Sequence, residues 1–556
     1  MPSGTLVQRN VSRLCYVMLG AWILLFAANF MLHDSRGLGT GADSFKYLTP
    51  AVNLSRGLGY TYLGHLELYF PPGYGLRTLP LYLLGFEPIQ AALIGNVIVL
   101  ALACLFAYLI CRLYVSRVMA LVAILFVVMN AYVMEYTALA MSEVTFMAGI
   151  TGAGYFVLRF IRQPERNPLN LAAAGVFVSC AALTRPEGIG TAAVLLGFLL
   201  LDLTLRQPPP RLQSRFVGRL AFYALVFVAP AIMVYSPYAV YLSKNLGHFT
   251  VTNKAEINYA FGDARTQPDY NLGDPDHVLQ EDLYVQQALS QGIHSTFEDG
   301  LRRLRINLAR YASYAVRENT GVLVALGLVL AVALWRTRFR RLPLEIRGDP
   351  DLLEAIGFCV VMFAPLVPMA YYLAEPRMFI PFNMFVTIGA VVLMDRLVAA
   401  PSGIPQMTLR TAFALAIAGP LLLLGADSNI AMASKNRSEY YLQNAAIALA
   451  GLAQSRPVNV MALRRAEVAS YYANDRRILP DARFIRAAPD ITSDEVAETM
   501  RSDGLNYLLL DRHYIRTRPG LASLWACTAD TCPTSLRLVA DMPGEYRIFE
   551  LAPASS

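Results

Sequence analysis

Residues 88–134 read PIQAALIGNVIVLALACLFAYLICRLYVSRVMALVAILFVVMNAYVM, and this stretch decides the fold class. Two apolar runs, 88–110 and 118–134, stand on either side of Arg112 and Arg117. Each is about long enough as a helix to cross ~30 Å of hydrocarbon. A soluble core has no reason to exclude charge from whole segments of that length. Outward from this pair the pattern recurs at 12–31, 143–158, 169–183, 188–205, 218–240, 319–335, 353–373, 378–394 and 408–425, which makes about eleven spans. The 169–183 run is short and lies close to 188–205. Composition agrees: 16% of the 556 residues are charged and 56% are hydrophobic, where soluble domains carry about 25% charged residues.

The arginines orient the chain. Arg112 and Arg117, then Arg159, Arg162 and Arg166, then Arg206, Arg211, Arg215 and Arg219, and finally Arg336, Arg338, Arg340, Arg341 and Arg347 fall in alternate loops. The positive-inside rule makes those loops cytoplasmic, together with the amino terminus carrying Arg9 and Arg13. This distribution accounts for the net charge of +7 without a nucleic-acid partner. Segments 32–87, 135–142, 184–187, 241–318 and 374–377, and everything after about 426, then face outward. The 12–31 run has no A-x-A-like cleavage signal and reads as a retained first span. The expected organisation is a polytopic α-helical membrane module, 1–425, followed by a small exported α/β domain, 426–556.

In the first outer loop, Asp43-Ser44-Phe45-Lys46-Tyr47 opens a helix predicted to run to Ser55. Tyr60, Tyr62, Tyr69 and Tyr74 suit an interfacial aromatic belt. A second helix is expected over 296–316, with Arg302, Arg303, Arg305 and Arg310 reaching lipid phosphates from the headgroup region. In the tail, strands are expected at 457–463, 506–510, 536–539 and 546–551, and helices at 466–472 and before Met500, the latter opened by a Thr492/Glu495 capping box. Cys527 and Cys532 have a spacing that closes a disulfide in an oxidising compartment. No phosphate-cradling glycine motif marks the tail as a nucleotide binder.

Polar groups collect on one face. Asp43 follows the first span, Met141-Ser142-Glu143 opens the fourth, and Thr184-Arg185-Pro186-Glu187 and Glu375-Pro376-Arg377 fill two outer turns. Ionisable groups at hydrocarbon edges are costly unless paired, hydrated or used, so a shared outer chamber is expected. Each has a plain alternative: Asp43 and Ser142 as helix caps, Arg185 with Glu187 and Glu375 with Arg377 as ion-paired turns.

In Gly41-Ala42-Asp43-Ser44-Phe45-Lys46-Tyr47, Tyr69-Phe70-Pro71-Pro72-Gly73, Met141-Ser142-Glu143, Thr184-Arg185-Pro186-Glu187-Gly188 and Glu375-Pro376-Arg377-Met378-Phe379-Ile380-Pro381, the chain resembles the GT-C superfamily of membrane glycosyltransferases. Its likeness is to bacterial protein O-mannosyltransferases and aminoarabinose transferases. The resemblance implies transfer of a sugar from a polyprenyl-phosphate carrier to a glycan, lipid or protein acceptor at the outer face of the bacterial cytoplasmic membrane. It implies Asp43 as the catalytic residue, assisted by Glu143, with Arg185, Arg377 and Lys46 on the donor phosphate. Glu187, Glu375, Tyr69, Arg302 and Arg303 are supporting candidates. Relatives carry a consecutive Asp-Glu pair where this chain has Asp43-Ser44, and a divalent cation, Mg or Mn, is the one cofactor left open.

Two other function classes fit a polytopic chain. A lipid-linked sugar transporter or flippase usually shows duplicated halves or ionisable groups at the midplane, and neither stands out here. A non-catalytic envelope assembly protein would use the tail as its binding module.

Overall fold

A computed structural model describes residues 43–205, 214–265, 297–337, 349–399, 441–453, 457–463, 482–488, 490–512, 515, 518–528, 530–542 and 545–553. The runs at 12–31 and 408–425, the helix expected at 466–472 and the boundary near 426 lie outside the described residues.

The chain enters through helix α1 (Ser44–Ser55), a two-stranded ribbon β1 (Thr61–Tyr62) and β2 (His65–Leu66), and α2 (Gly73–Leu83). The helix α3 (Pro88–Arg112) starts where the sequence says it should, with Pro88 in its first turn and Glu87 and Gln90 forming a reciprocal capping box. The run 118–134 is one apolar stretch in sequence but two helices in space, α4 (Arg117–Val128) and α5 (Ala131–Thr137), bent by 63°. Asn130 makes the break: its side chain accepts from the amides of Tyr132 and Val133, starting a new helix.

Next come α6 (Glu143–Arg162), α7 (Leu169–Thr184), α8 (Glu187–Leu205), α9 (Ser214–Leu246), α10 (Lys254–Arg265), α11 (Phe297–Glu318) and α12 (Thr320–Thr337), the last two bent by 73°. Then follow α13 (Pro350–Val361), α14 (Leu366–Tyr372), the single turn α15 (Pro376–Phe379) leading through a 3-10 turn, Ile380–Phe382, and α16 (Asn383–Ala399). Among the described residues six helices are long and apolar enough to cross a membrane, or up to eight with each bent pair taken as one span. The predicted 169–183 run is the shorter apolar helix Leu169–Thr184.

α6 lies at the centre of the helical module. Its glycines admit neighbours closely: a Cβ on Gly149 would meet Ala181 of α7 at 2.8 Å, and one on Gly152 would meet Phe177 at 2.7 Å. Small residues at such crossings let helices approach where lipid supplies no hydrophobic drive between them. At the C-terminal end of α6, Arg162 pairs with Glu354 at 2.9 Å and with Asp351, and Tyr114 donates to Glu354 at 2.8 Å. These contacts tie the end of α6 to the start of α13.

The tail contributes α17 (Tyr441–Ala453), β3 (Asn459–Ala462), β4 (Arg483–Arg486), α18 (Val496–Ser502), β5 (Tyr507–Asp511), α19 (Ala522–Ala526), β6 (Leu536–Met542) and β7 (Tyr546–Leu551). The five-stranded sheet has the order β4-β3-β5-β7-β6, parallel from β4 to β5 and antiparallel beyond. Because side chains alternate along a strand, Tyr507 and Leu509 of β5 face a core with Leu442, Ala446 and Leu449 of α17, while Leu508 and Leu510 face one with Val496 and Met500 of α18. The first core continues into Phe45, Tyr47 and Leu48 of α1 and Tyr74 of α2. Thr492 and Glu495 form the expected reciprocal box ahead of α18, and Cys527 and Cys532 are joined in a disulfide.

Candidate functional site

Asp43 precedes α1, yet its carboxylate does not cap that helix. It accepts instead from Lys46, one turn on, at 3.1 Å, and from Arg377, which arrives from the other end of the helical module. Arg377 also pairs with Glu375. Proline sets this geometry. The residue before a proline is driven to extended backbone, and Glu375, before Pro376, sits at φ −120°, ψ 148°. The chain leaves α14 there and turns Arg377 back toward Asp43.

The same device recurs in the other turn. Arg185 precedes Pro186 and is extended at φ −148°, ψ 136°, which ends α7 and frees the side chain from the helix surface. Its guanidinium donates to Glu143 at 2.7 Å and to Glu187 at 3.1 Å. All three are buried, with exposures of 3%, 1% and 7%. Buried charges at that depth persist only when answered by opposite charge, and here one arginine answers two acids. Ser142 makes no cap either: its hydroxyl donates to Tyr47 Oη at 3.1 Å, stitching the start of α6 to α1. Arg377 senses Glu143, and Arg185 senses Arg377, so the two groups form one charged constellation.

Asp43 is only 7% exposed. Burial pushes its carboxyl upward, but the cations Lys46, Arg377 and Lys254 outweigh that and hold it well below the usual carboxylate range. Lys254, at the start of α10, joins this group. Its ammonium lies 4.7 Å from the centre of the Phe70 ring, and Lys46 lies 5.3 Å from the same ring. Glu67 was passed over in the sequence. It is 4% exposed, and its Oε1 accepts from the amides of Tyr69 and Phe70 at 2.7 and 2.9 Å. Burial raises its carboxyl despite those amides and the nearby lysines.

The structure thus brings together Asp43, Lys46, Glu143, Arg185, Glu187, Glu375 and Arg377. It does not bring all the supporting candidates with them. Arg303 is fully buried and pairs with Asp263, not at the headgroups. Arg302 is partly exposed and pairs with Asp299 at 3.4 Å. Tyr69 contributes its amide to Glu67. Tyr60 and Tyr74 are interior residues, not an interfacial belt: Tyr60 donates to the Phe70 carbonyl at 2.9 Å and Tyr74 is fully buried. Among the described residues no three His, Cys, Asp or Glu side chains gather as metal ligands.

A model of the family described as dolichyl-phosphate-mannose-protein mannosyltransferase matches residues 73–234, the part that carries Glu143, Arg185 and Glu187. No curated protein sequence matches the chain. Among solved structures, ArnT from Cupriavidus metallidurans bound to undecaprenyl phosphate is similar over 97% of this chain and 98% of its own, at 12% identity and a TM-score of 0.57. The same protein in the apo state covers 96% and 98%, at 14% identity and a TM-score of 0.57. The Archaeoglobus fulgidus oligosaccharyltransferase in the apo form covers 89% of this chain and 69% of its own, at 13% identity and a TM-score of 0.49. The likeness covers nearly the whole chain, and the chain is a multi-pass membrane protein with the fold of the GT-C glycosyltransferases.

Proposed function

We propose that this protein transfers a sugar from a polyprenyl-phosphate carrier to an acceptor hydroxyl at the outer face of the cytoplasmic membrane, with Asp43 as the base. One observation carries the reading. A buried carboxylate at the entry to the fold pairs with Lys46 and with Arg377 from the far end of the helical module, while Lys254 lies over the adjoining Phe70 ring, and these cations hold it well below the usual carboxylate range.

An acceptor hydroxyl is a poor nucleophile until its proton is removed, and a carboxylate within about 3 Å can take it as the new bond forms. The acceptor oxygen attacks the anomeric carbon and the bond from that carbon to the carrier phosphate oxygen breaks. The electron pair leaves on the phosphate, and the proton passes to Asp43. The configuration inverts, because no protein nucleophile intervenes. A phosphate leaving group needs no proton donor, unlike the sugar alkoxide expelled in glycoside hydrolysis. It does need fixed positive charge, and the planar fork of Arg377 with the ammoniums of Lys46 and Lys254 supplies it. Arg185 is enclosed between Glu143 and Glu187, so in this scheme it orients Glu143 toward the acceptor side and leaves the phosphate to the other cations. The undecaprenyl phosphate bound to ArnT supports a polyprenyl carrier as the donor class.

The test is Asp43→Asn in the full chain reconstituted into liposomes with a lipid-linked sugar extract. Transfer to envelope acceptors should fall by at least about a thousandfold, the scale of a lost general base together with misplaced charge. Yield and thermal unfolding should stay near wild type. Near-normal turnover would remove Asp43 as base, and carrier movement without transfer would turn the assignment to a flippase.

A further inference from the structure

Arg303 and Asp263 lie outside the reaction centre, yet Arg303 is among the largest fully buried side chains of the molecule. Its guanidinium pairs with Asp263, donates to the Tyr259 hydroxyl and stacks 4.0 Å over the Tyr259 ring. Both partners belong to α10, and Tyr371 of α14 closes the other side at 5.8 Å. The helix α10 packs closely on α14 at Gly262, where a Cβ would fall 1.6 Å from the carbonyl oxygen of Tyr372. The helix α11, which carries Arg303, is fastened to the same segment. Asn307 donates to the Ala370 carbonyl at 2.9 Å and Tyr311 to the Leu373 carbonyl at 3.1 Å. Leu373 leads directly into Ala374-Glu375-Pro376-Arg377.

Lys254 is the first residue of α10, nine positions before Asp263, and a helix carries that separation as a stiff rod of about 13 Å. Its ammonium acts on Asp43, Glu67 and Glu187 together and lies over the Phe70 ring, in no ion pair of its own among the described residues. A buried ion pair adds little net stability over apolar residues of the same volume, but it holds one geometry tightly.

We infer that the Arg303–Asp263 pair is a positioning device, which seats α10 so that the Lys254 ammonium stands beside Asp43 and meets the phosphate of the lipid donor. The inference rests on the donor side of the proposed function. It makes Lys254 a binding residue, and Arg303 and Asp263 residues that act through it.

The experiment measures binding of undecaprenyl phosphate to the detergent-solubilised full chain by a double-mutant cycle. Lys254→Met should weaken binding about tenfold, the equivalent of one lost charge-assisted contact. Asp263→Asn should weaken it by a similar factor, and the Lys254→Met/Asp263→Asn double variant should bind no more weakly than Lys254→Met alone. Arg303→Lys, which keeps the charge and loses the fork, should fall between wild type and Asp263→Asn. Asp263→Glu carries the same cycle should Asp263→Asn fail to purify. Losses that multiply in the double variant, or wild-type binding in either single variant, overturn the inference. Absence of binding by the wild-type chain overturns it together with the donor assignment. Turnover is not read in this cycle, so failure of Asp43 as base leaves the result legible.

Discussion

Asp43 shows how a residue's meaning depends on what reaches it from far along the chain. In sequence it fits a helix cap as well as a catalytic carboxylate; in the structure it does not cap α1 and pairs instead with Lys46 and Arg377. Its ionisation has a defined sign. A carboxyl whose folded-state pKa lies below its unfolded value near 3.9 adds stability above that value, and the contribution is lost as pH falls through the lower, folded-state value. Arg377→Gln removes one of the cations that offset burial, so the Asp43 carboxyl should rise. The acid limb of the residual transfer rate should then move to higher pH, read from a pH–rate profile against wild type. An unmoved limb would mean that Arg377 does not set the Asp43 charge. Seven of the eight charged members of the constellation were legible: alternate loops place Asp43, Glu143, Arg185, Glu187, Glu375 and Arg377 on one face, and Lys46 followed from its motif. Lys254 was not, since a single lysine in a turn-rich loop has no periodicity to mark it. Arg303 was misread for a related reason: its partner Asp263 lies 40 residues earlier, and an arginine on a partly apolar helix looks solvated until that partner is known.

At the scale of elements, hydropathy located the spans but did not show where they break. The 118–134 run contains a helix start at Asn130 that composition averages away, and α11 and α12 meet at a bend that an apolar window cannot register. Helix crossings were equally invisible, because they depend on glycines that leave no hydropathy signal. A Cβ on Gly175 of α7 would lie 2.2 Å from the Phe227 carbonyl oxygen of α9. Gly175→Ala should therefore force α7 and α9 apart and cost about 1–3 kcal/mol, seen as a lower thermal midpoint in detergent. Gly197→Ala is the matched control, since nothing lies within 4 Å of its added carbon, and it should unfold with wild type.

At the scale of the whole molecule, the tail rests on the segment of α1 and α2 through a common apolar core, so the sheet and the Asp43-bearing segment share a wall. An outward tail was read from arginine placement alone, and Cys527 and Cys532 give it a direct test. In intact spheroplasts, a membrane-impermeant maleimide should label both cysteines only after an external reductant has opened their disulfide. The double Cys527→Ser/Cys532→Ser variant should lose that labelling. Labelling that requires permeabilised membranes would reverse the orientation.

The pairing of Asp43 with Arg377 spans 334 residues, and that separation sets a schedule for biogenesis. At about 5–20 residues per second, roughly 20–70 s of translation pass between the two side chains. Throughout that interval the acid is already delivered to the membrane surface with Lys46, its neighbour in the same helical turn, as interim counter-ion. The constellation is completed only when the turn after α14 has been made. A nascent or prematurely terminated chain therefore carries Asp43 without its long-range guanidinium, and the full set of charges assembles late, after most of the helical module has been synthesised.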